Sequence, residues 1–447
     1  MLSSDIRLCE LTSRTVRYAY RVPMKFGGRV VTDAVLLDVD VQVETRDGRR
    51  GAGHGSMPMS NAWAWPSHQV SGPDALAAMI ALGEQAVRDA GTYREFGHPL
   101  EITHALAKDH PSAAAALTSA LAEPMPRLAQ LVATSPLEAA IHDAYGKALG
   151  INAYNTLGPE FVNRDLSHYL TAEFQGEYLD RYTSRQPKQS MPLYHLVGAL
   201  DPLTAADLPE RIGDGLPETL GEWIAADGLT HLKIKLNGDD LAWDIERVTA
   251  VERIAAEAQH NRGCQAWRYS LDFNERCANV EYVLDFLAGI RERAPAAWDR
   301  VHYIEQPTHR DLRAHPENKM HAAAKLKPVV IDESLINLDS LQYCRELGYS
   351  GVALKACKGH SEALLMGAAA QKYGMFLCVQ DLTCPGASFL HSASLSARIP
   401  TVAAIEGNAR QYCPAGNQRW AERFPSMFQL SDGTLGTAAL NGPGLGY

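Results

Sequence analysis

Apolar and polar positions alternate with a period of two through the first fifty residues. The alternation is plainest in Val30-Val31-Thr32-Asp33-Ala34-Val35-Leu36-Leu37-Asp38-Val39-Asp40-Val41. Such β-branched runs fit a pleated, half-buried strand, and Arg46-Asp47-Gly48 supplies a hairpin turn. Two loop-like stretches flank this region: Lys25-Phe26-Gly27-Gly28-Arg29, and His54-Gly55-Ser56-Met57-Pro58 onward to Trp63 and Trp65. The pattern then becomes helical over roughly 74–90 and 112–150. Ser135-Pro136-Leu137-Glu138 reads as a capped helix start, with Pro at the first helical position and Glu three residues after the Ser. That helix runs through Ala140, Ile141 and Ala144 and stops at Gly150. Polar residues dominate 175–190, which reads as a long connection at a domain boundary.

From about residue 192 short apolar runs alternate with helical periods. The runs are 193–197, 231–236, 269–273, 301–305, 329–332, 351–355, 376–380 and 402–406. Eight such runs, each followed by a turn or helix, predict an α/β fold with a closed (βα)8 barrel; an open doubly wound sheet is the alternative.

Composition narrows the function. The 447 residues carry 42 basic and 52 acidic side chains, a formal charge of −10, so there is no positive field of the kind that nonspecific nucleic-acid binding uses. No stretch reaches the roughly 18 apolar residues of a membrane span, and the first residues lack the pattern of a secretory signal. The eight cysteines are scattered, without zinc-site spacing, and read as reduced thiols of a cytoplasmic protein.

The chemistry sits at the ends of the apolar runs. In a (βα)8 barrel those ends converge on one mouth, which here receives Lys233, Lys235, Asp272, Asn274, Glu305, Asp332, Lys355, Asp381 and Glu406. Asp272, Glu305 and Asp332 offer hard oxygen ligands from three consecutive strands, which suits Mg²⁺; a salt-bridged network with the lysines is the metal-free alternative. A free lysine, with pKa about 10.4, is a poor base at neutral pH. A neighbouring ammonium and burial are expected to lower it, so Lys233 is expected to favour the neutral, base-competent form of Lys235. Lys355 lies across the barrel, so two amines can reach both faces of one substrate carbon.

These residues resemble the enolase superfamily, in particular its muconate lactonizing enzyme and dipeptide epimerase subgroup. The resemblance rests on Lys233-Ile234-Lys235, Asp272-Phe273-Asn274, Glu305-Gln306-Pro307, Asp332-Glu333-Ser334, and Lys355 followed by Lys358-Gly359. It extends to the helix Ala140–Gly150. It implies an α+β capping domain over residues 1–190, a (β/α)7β-type modified TIM barrel over 191–410, and a C-terminal segment, 411–447, returning to the cap. By the same resemblance Asp272, Glu305 and Asp332 would bind Mg²⁺, and Lys235 and Lys355 would be the acid/base pair supported by Lys233. The implied reaction removes the proton α to a carboxylate, giving a metal-stabilised enediolate. Racemisation, epimerisation or cycloisomerisation would follow; dehydration of an acid sugar, with Lys355 or Asp381 as the acid, and a non-catalytic binding barrel are the alternatives. Phe26, Arg29, Trp63, Asn274 and Glu406 are candidate substrate contacts, though Trp63 and Trp65 also read as packing within the cap. His360 and His391 raise a histidine-based variant of the chemistry. The interval between Asp272 and Glu305 is long, and residues 160–190 look inserted. The partner is a small carboxylate, and a homo-oligomer is the default assembly.

Overall fold

Three antiparallel strands begin the computed structural model, which describes residues 2–26 and 29–447. They are β1 (Ile6–Phe26), β2 (Arg29–Thr45) and β3 (Arg50–Pro58), in that spatial order. Val39, Val41 and Val43 of β2 are buried, as the alternation requires, and Gly48 turns the second hairpin at φ 85°. Helices α1 (Asn61–Ala64), α2 (Gly72–Ala90), α3 (Pro99–Leu106), α4 (His110–Leu117) and α5 (Arg127–Leu149) follow.

The expected helix start at Ser135 is wrong. α5 runs unbroken from Arg127, and Pro136 lies inside it. Proline has no N–H for the carbonyl of Val132, but the Ser135 hydroxyl donates to that oxygen at 2.9 Å and fills the gap. The predicted stretch 112–150 is therefore two helices, α4 and α5. The stop at Gly150 holds, at φ 69°. β3 lies directly on α5: a Cβ on Gly51, Gly53 or Gly55 would fall within 2.3 Å of a helix backbone atom. Residues 160–190 are irregular, with short 3-10 turns.

The barrel strands are β4 (Met191–Val197), β5 (His231–Lys235), β6 (Arg268–Asp272), β7 (Val301–Glu305), β8 (Val329–Ile331), β9 (Gly351–Leu354), β10 (Phe376–Val379) and β11 (Ile405–Glu406). All are parallel to their barrel neighbours, and pairing of β11 with β4 closes the barrel. Each of the eight predicted runs contains or overlaps one of them. Between them lie α6 (Leu220–Asp227), α7 (Leu241–Asn261), α8 (Val280–Arg293), α9 (Pro295–Arg300), α10 (His321–Ala324), α11 (Leu338–Glu346), α12 (His360–Lys372) and α13 (Ala387–Arg398). The extra helix α9 accounts for the long interval between Asp272 and Glu305. After α14 (Ala409–Tyr412), β12 (Thr434–Leu435) pairs antiparallel with β4. The chain end then returns to α5, where Leu445 N donates to Asp143 Oδ1 at 2.9 Å.

Tyr194, Tyr303, Val330, Ala353, Cys378 and Ala404 form an apolar cluster of their own inside the barrel. Side chains two residues apart share a face. Each of these residues therefore sets the direction of the one two places on: Leu196, Glu305, Asp332, Lys355, Gln380 and Glu406. The eight cysteines are unpaired, and no helix among the described residues is long and apolar enough to cross a membrane.

Candidate active site

Register brings the first group of polar residues level. Lys235 pairs with Asp272, and Asp272 with Glu305, across three adjacent strands. Lys233 Nζ lies 2.9 Å from Glu305, 2.7 Å from Glu406 and 3.1 Å from Asp272. Lys235 Nζ contacts Asp272 Oδ2. On the far side Lys355 Nζ lies 2.9 Å from Asp332 Oδ2, and Lys358 Nζ lies 3.1 Å from Asp332 Oδ1. β5 and β9 are the second and sixth of eight strands, so Lys235 and Lys355 stand on opposite sides of the mouth.

Trp63 brings the cap to this mouth. Trp63 Nε1 donates to Glu333 Oε1 at 2.9 Å, while Lys355 Nζ lies 4.7 Å and Lys358 Nζ 5.7 Å from its ring centre. Arg310, after β7, donates to the Trp63 carbonyl at 3.0 Å and grips the Glu275 carboxylate with its Nε. Trp65 does pack within the cap: it is buried, with Nε1 on Glu123 at 2.6 Å.

The loops past β6 and β7 are strained. Asn274, Glu275 and Gln306 have φ of 46°, 60° and 30°, a region that costs side-chain-bearing residues about 1–3 kcal/mol each. Local bonds hold them there. Gln306 Oε1 accepts from Asp332 N (2.9 Å) and Ser334 N (3.2 Å), and Asn274 N donates to Asp272 Oδ1 at 2.8 Å. The strain thus fixes the loops that aim Asp272 and Asp332.

Several expected site residues are already engaged with other groups or lie away from the mouth. Asp381 is not the inward residue of β10; Gln380 is, two places after Cys378, and its Nε2 contacts Glu305 Oε2. Asp381 accepts instead from Thr383 N (3.2 Å) and Cys384 N (3.1 Å), capping its own loop. Glu406 is held by Lys233. Arg29 opens β2 and donates to the Ser67 carbonyl within the cap. Phe26 ends β1, but its side chain lies outside the described residues, as do Gly27 and Gly28 of the same loop. His360 and His391 are buried against each other, Nδ1 to Nε2 at 2.9 Å, with His360 packed on His142 of α5, behind the barrel wall. Gln380 was legible from the two-residue period; Gln306, Glu333 and Arg310, beyond the strand ends, carried no such signal.

Burial dominates the electrostatics. It pushes Glu305 up to about 8, with the Asp272 charge adding to it, and Glu333 up to about 7, with Asp332 adding. Asp381 is raised to about 7 by burial and by Glu406. Against burial, Lys235 and Lys233 hold Asp272 below the usual carboxylate range. Two lysines, Lys233 and Lys355, are shifted upward. Burial pulls both down, but Glu305, Glu406 and Asp272 around Lys233, and Asp332 beside Lys355, outweigh it and raise them.

The donor set fits a hard divalent cation by its chemistry: three buried carboxylates on neighbouring strand ends, one of them pushed up by the charge of the next. Their oxygens are directed at the lysine ammonium groups, and no group of three or more His, Cys, Asp or Glu among the described residues is gathered around one point.

A family model described as "Enolase C-terminal domain-like" matches residues 216–447, more than half of the chain. The chain belongs to the enolase C-terminal domain-like family. This enolase-like chain is accordingly an enzyme, and isomerases are among its structural relatives. The N-succinyl Arg/Lys racemase from Bacillus cereus is 15% identical, with a TM-score of 0.63, covering 98% of this chain and 95% of that one. The dipeptide epimerase from Enterococcus faecalis, complexed with Mg and L-Leu-L-Tyr, is 15% identical, with a TM-score of 0.62 and coverage of 98% and 99%. The muconate lactonizing enzyme from Pseudomonas fluorescens, complexed with muconolactone, is 16% identical, with a TM-score of 0.59 and coverage of 98% and 96%. At these identities the likeness is one of fold. No curated protein matches the enolase-like chain.

Proposed function

We propose that this enzyme moves the proton α to a substrate carboxylate, with Lys235 and Lys355 as the acid/base pair and racemisation or epimerisation as the outcome. The observation that carries the reading is the pair of buried amines on opposite sides of one mouth, with carboxylates on the strand ends beside them. One lysine, as the amine, takes the α-proton from one face of the carbon. The other, as ammonium, delivers a proton to the opposite face, and the roles reverse for the other enantiomer. Lys233 holds Glu305, Glu406 and Asp272 in place and is a positioning residue. Trp63 closes the mouth from the cap and keeps water from the exchanging protons.

Asp272, Glu305 and Asp332 would hold Mg²⁺, the ion found with dipeptide in the Enterococcus faecalis epimerase. When bound, the ion supplies neutralisation of the charge that develops on the carboxylate oxygens.

Dipeptides, N-acylamino acids and acid sugars, incubated with the enzyme and Mg²⁺ in D₂O, test the reading by mass spectrometry. Wild type should incorporate deuterium at the α-carbon as the centre inverts. Lys235→Ala and Lys355→Ala should each lose exchange for one enantiomer, and Glu305→Gln should bind metal more weakly and lose turnover. Exchange of both enantiomers by either lysine variant would refute the two-face model. A 2-oxo acid product would replace it with dehydration.

A further inference from the structure

A cavity of about 380 Å³ lies at the end of β4. Tyr194 of that strand faces the apolar cluster inside the barrel, and His195, Leu196 and Val197 line the cavity. Its other walls come from β1, α6, α14 and the long loop between β4 and α6. They are apolar, with Val22, Leu200, Ile212, Trp223 and Tyr412 prominent among them. Leu200 and Ile212 stand exposed at its rim, an uncommon position for large aliphatic side chains in this protein. The volume falls within the ordinary range of small-molecule sites.

One polar atom in the wall lacks a partner. His195 is fully buried, its ring 5.2 Å from that of Trp223, and its Nδ1 makes no hydrogen bond. Leaving such a group unpaired costs about 1–3 kcal/mol, so a ligand that bonds to it recovers that loss. The charged groups of the wall are mostly acidic: Asp201, Glu210 and Glu218. The Arg21 guanidinium is already taken by Asp214, at 2.6 and 2.8 Å. A carboxylate is therefore disfavoured here, in contrast to the lysine-bearing mouth.

We infer that this cavity is a second ligand site, for a neutral or cationic small molecule with an aromatic or aliphatic body and one group that hydrogen-bonds to His195 Nδ1. It stands apart from the proton-transfer reading, because its ligand chemistry is not that of the substrate. The wall residues Arg21, Val22 and Pro23 lie directly before the β1–β2 hairpin tip, so a bound ligand also braces the arm of the cap next to the mouth.

Calorimetric titration with indole, toluene, phenethylamine and phenylacetate tests it, on wild type, Leu200→Trp, Ile212→Trp, His195→Phe and Lys235→Ala. Indole and phenethylamine should bind wild type and Lys235→Ala alike, and phenylacetate about tenfold or more weakly. Leu200→Trp and Ile212→Trp, at exposed positions where folding is not at stake, fill the entrance and should weaken binding of both probes about tenfold or more. His195→Phe should weaken indole, which has a donor to give, more than toluene. No binding of indole or phenethylamine to wild type, equal binding by both tryptophan variants, or phenylacetate binding as well as phenethylamine would each overturn the inference.

Discussion

Lys233 shows how one side chain holds the barrel mouth together. Its ammonium is buried among Asp272, Glu305 and Glu406, each within 3.1 Å. Removing it leaves three buried carboxylates without their shared cation, and breaking a buried pair in this way costs about 3–5 kcal/mol. Lys233→Met should therefore lower the urea midpoint markedly, whereas Lys235→Met, which takes a cation from Asp272 but leaves Lys233 beside it, should cost less; equal losses would refute the positioning role. Trp63 acts through the lysines of the other wall. Trp63→Phe keeps a ring beside Lys355 and loses the bond to Glu333, so its turnover should fall less than that of Trp63→Ala; the reverse order in kcat would count against the contact. The candidate lysines and carboxylates were legible in the sequence because they end apolar runs. The partner each one chose was not: whether Glu406 meets a substrate or Lys233 depends on how the barrel closes, which no local pattern records.

The same division appears between elements. Gly51, Gly53 and Gly55 recur every two residues along β3, and α5 meets them with Pro136, Ala140, Ala144 and Ala148 at four-residue steps. Two strand residues and one helical turn advance by similar distances, so the glycines follow the helix backbone for three successive turns. Gly53→Ala would place a methyl 2.2 Å from Ala140 O and Ala144 N. The two elements must separate, and a destabilisation of about 1–3 kcal/mol is expected in urea unfolding. Gly72→Ala, where the nearest atom is a side-chain nitrogen at 3.7 Å, is the control and should be close to neutral. Proline and a capping pattern made Ser135 look like a helix start. Tertiary packing overrode that reading, since α5 has no side-chain cap at its start and is held by burial on all sides.

At the scale of the molecule, cap and barrel meet along a seam of buried imidazoles. His98, His142, His360 and His391 lie there, with the Ser361 hydroxyl 2.9 Å from His142 Nε2 and 2.7 Å from Thr103 Oγ1. Burial lowers all four pKa values, to about 3 for His98 and His391. As pH falls below about 6.5 the unfolded chain takes up protons that the folded seam refuses. The stabilisation is thus complete above that pH and is lost towards pH 3, at up to about 1.4 kcal/mol per pH unit for each imidazole. Glu138 and Glu362, pushed up to about 7 by burial, act in the opposite direction between about 4.5 and 7, as do Glu333 and Asp381 at the mouth. The contribution of the seam is therefore read by difference: between pH 6.5 and 4.5 the urea midpoint of His391→Asn should fall less, or rise more, than that of wild type, and parallel profiles would show that the seam hydrates on protonation. Eight strands, their order and the charged residues at their ends are written in the local pattern, because the two-residue period and the turn residues are local properties of the chain. Which carboxylate faces which lysine, that Gln380 and not Asp381 points inward, and that Trp63 crosses from the cap to the mouth are settled by folding in three dimensions. Those outcomes depend on barrel closure and on cap-to-barrel packing, where the contacting residues are separated by tens to hundreds of positions.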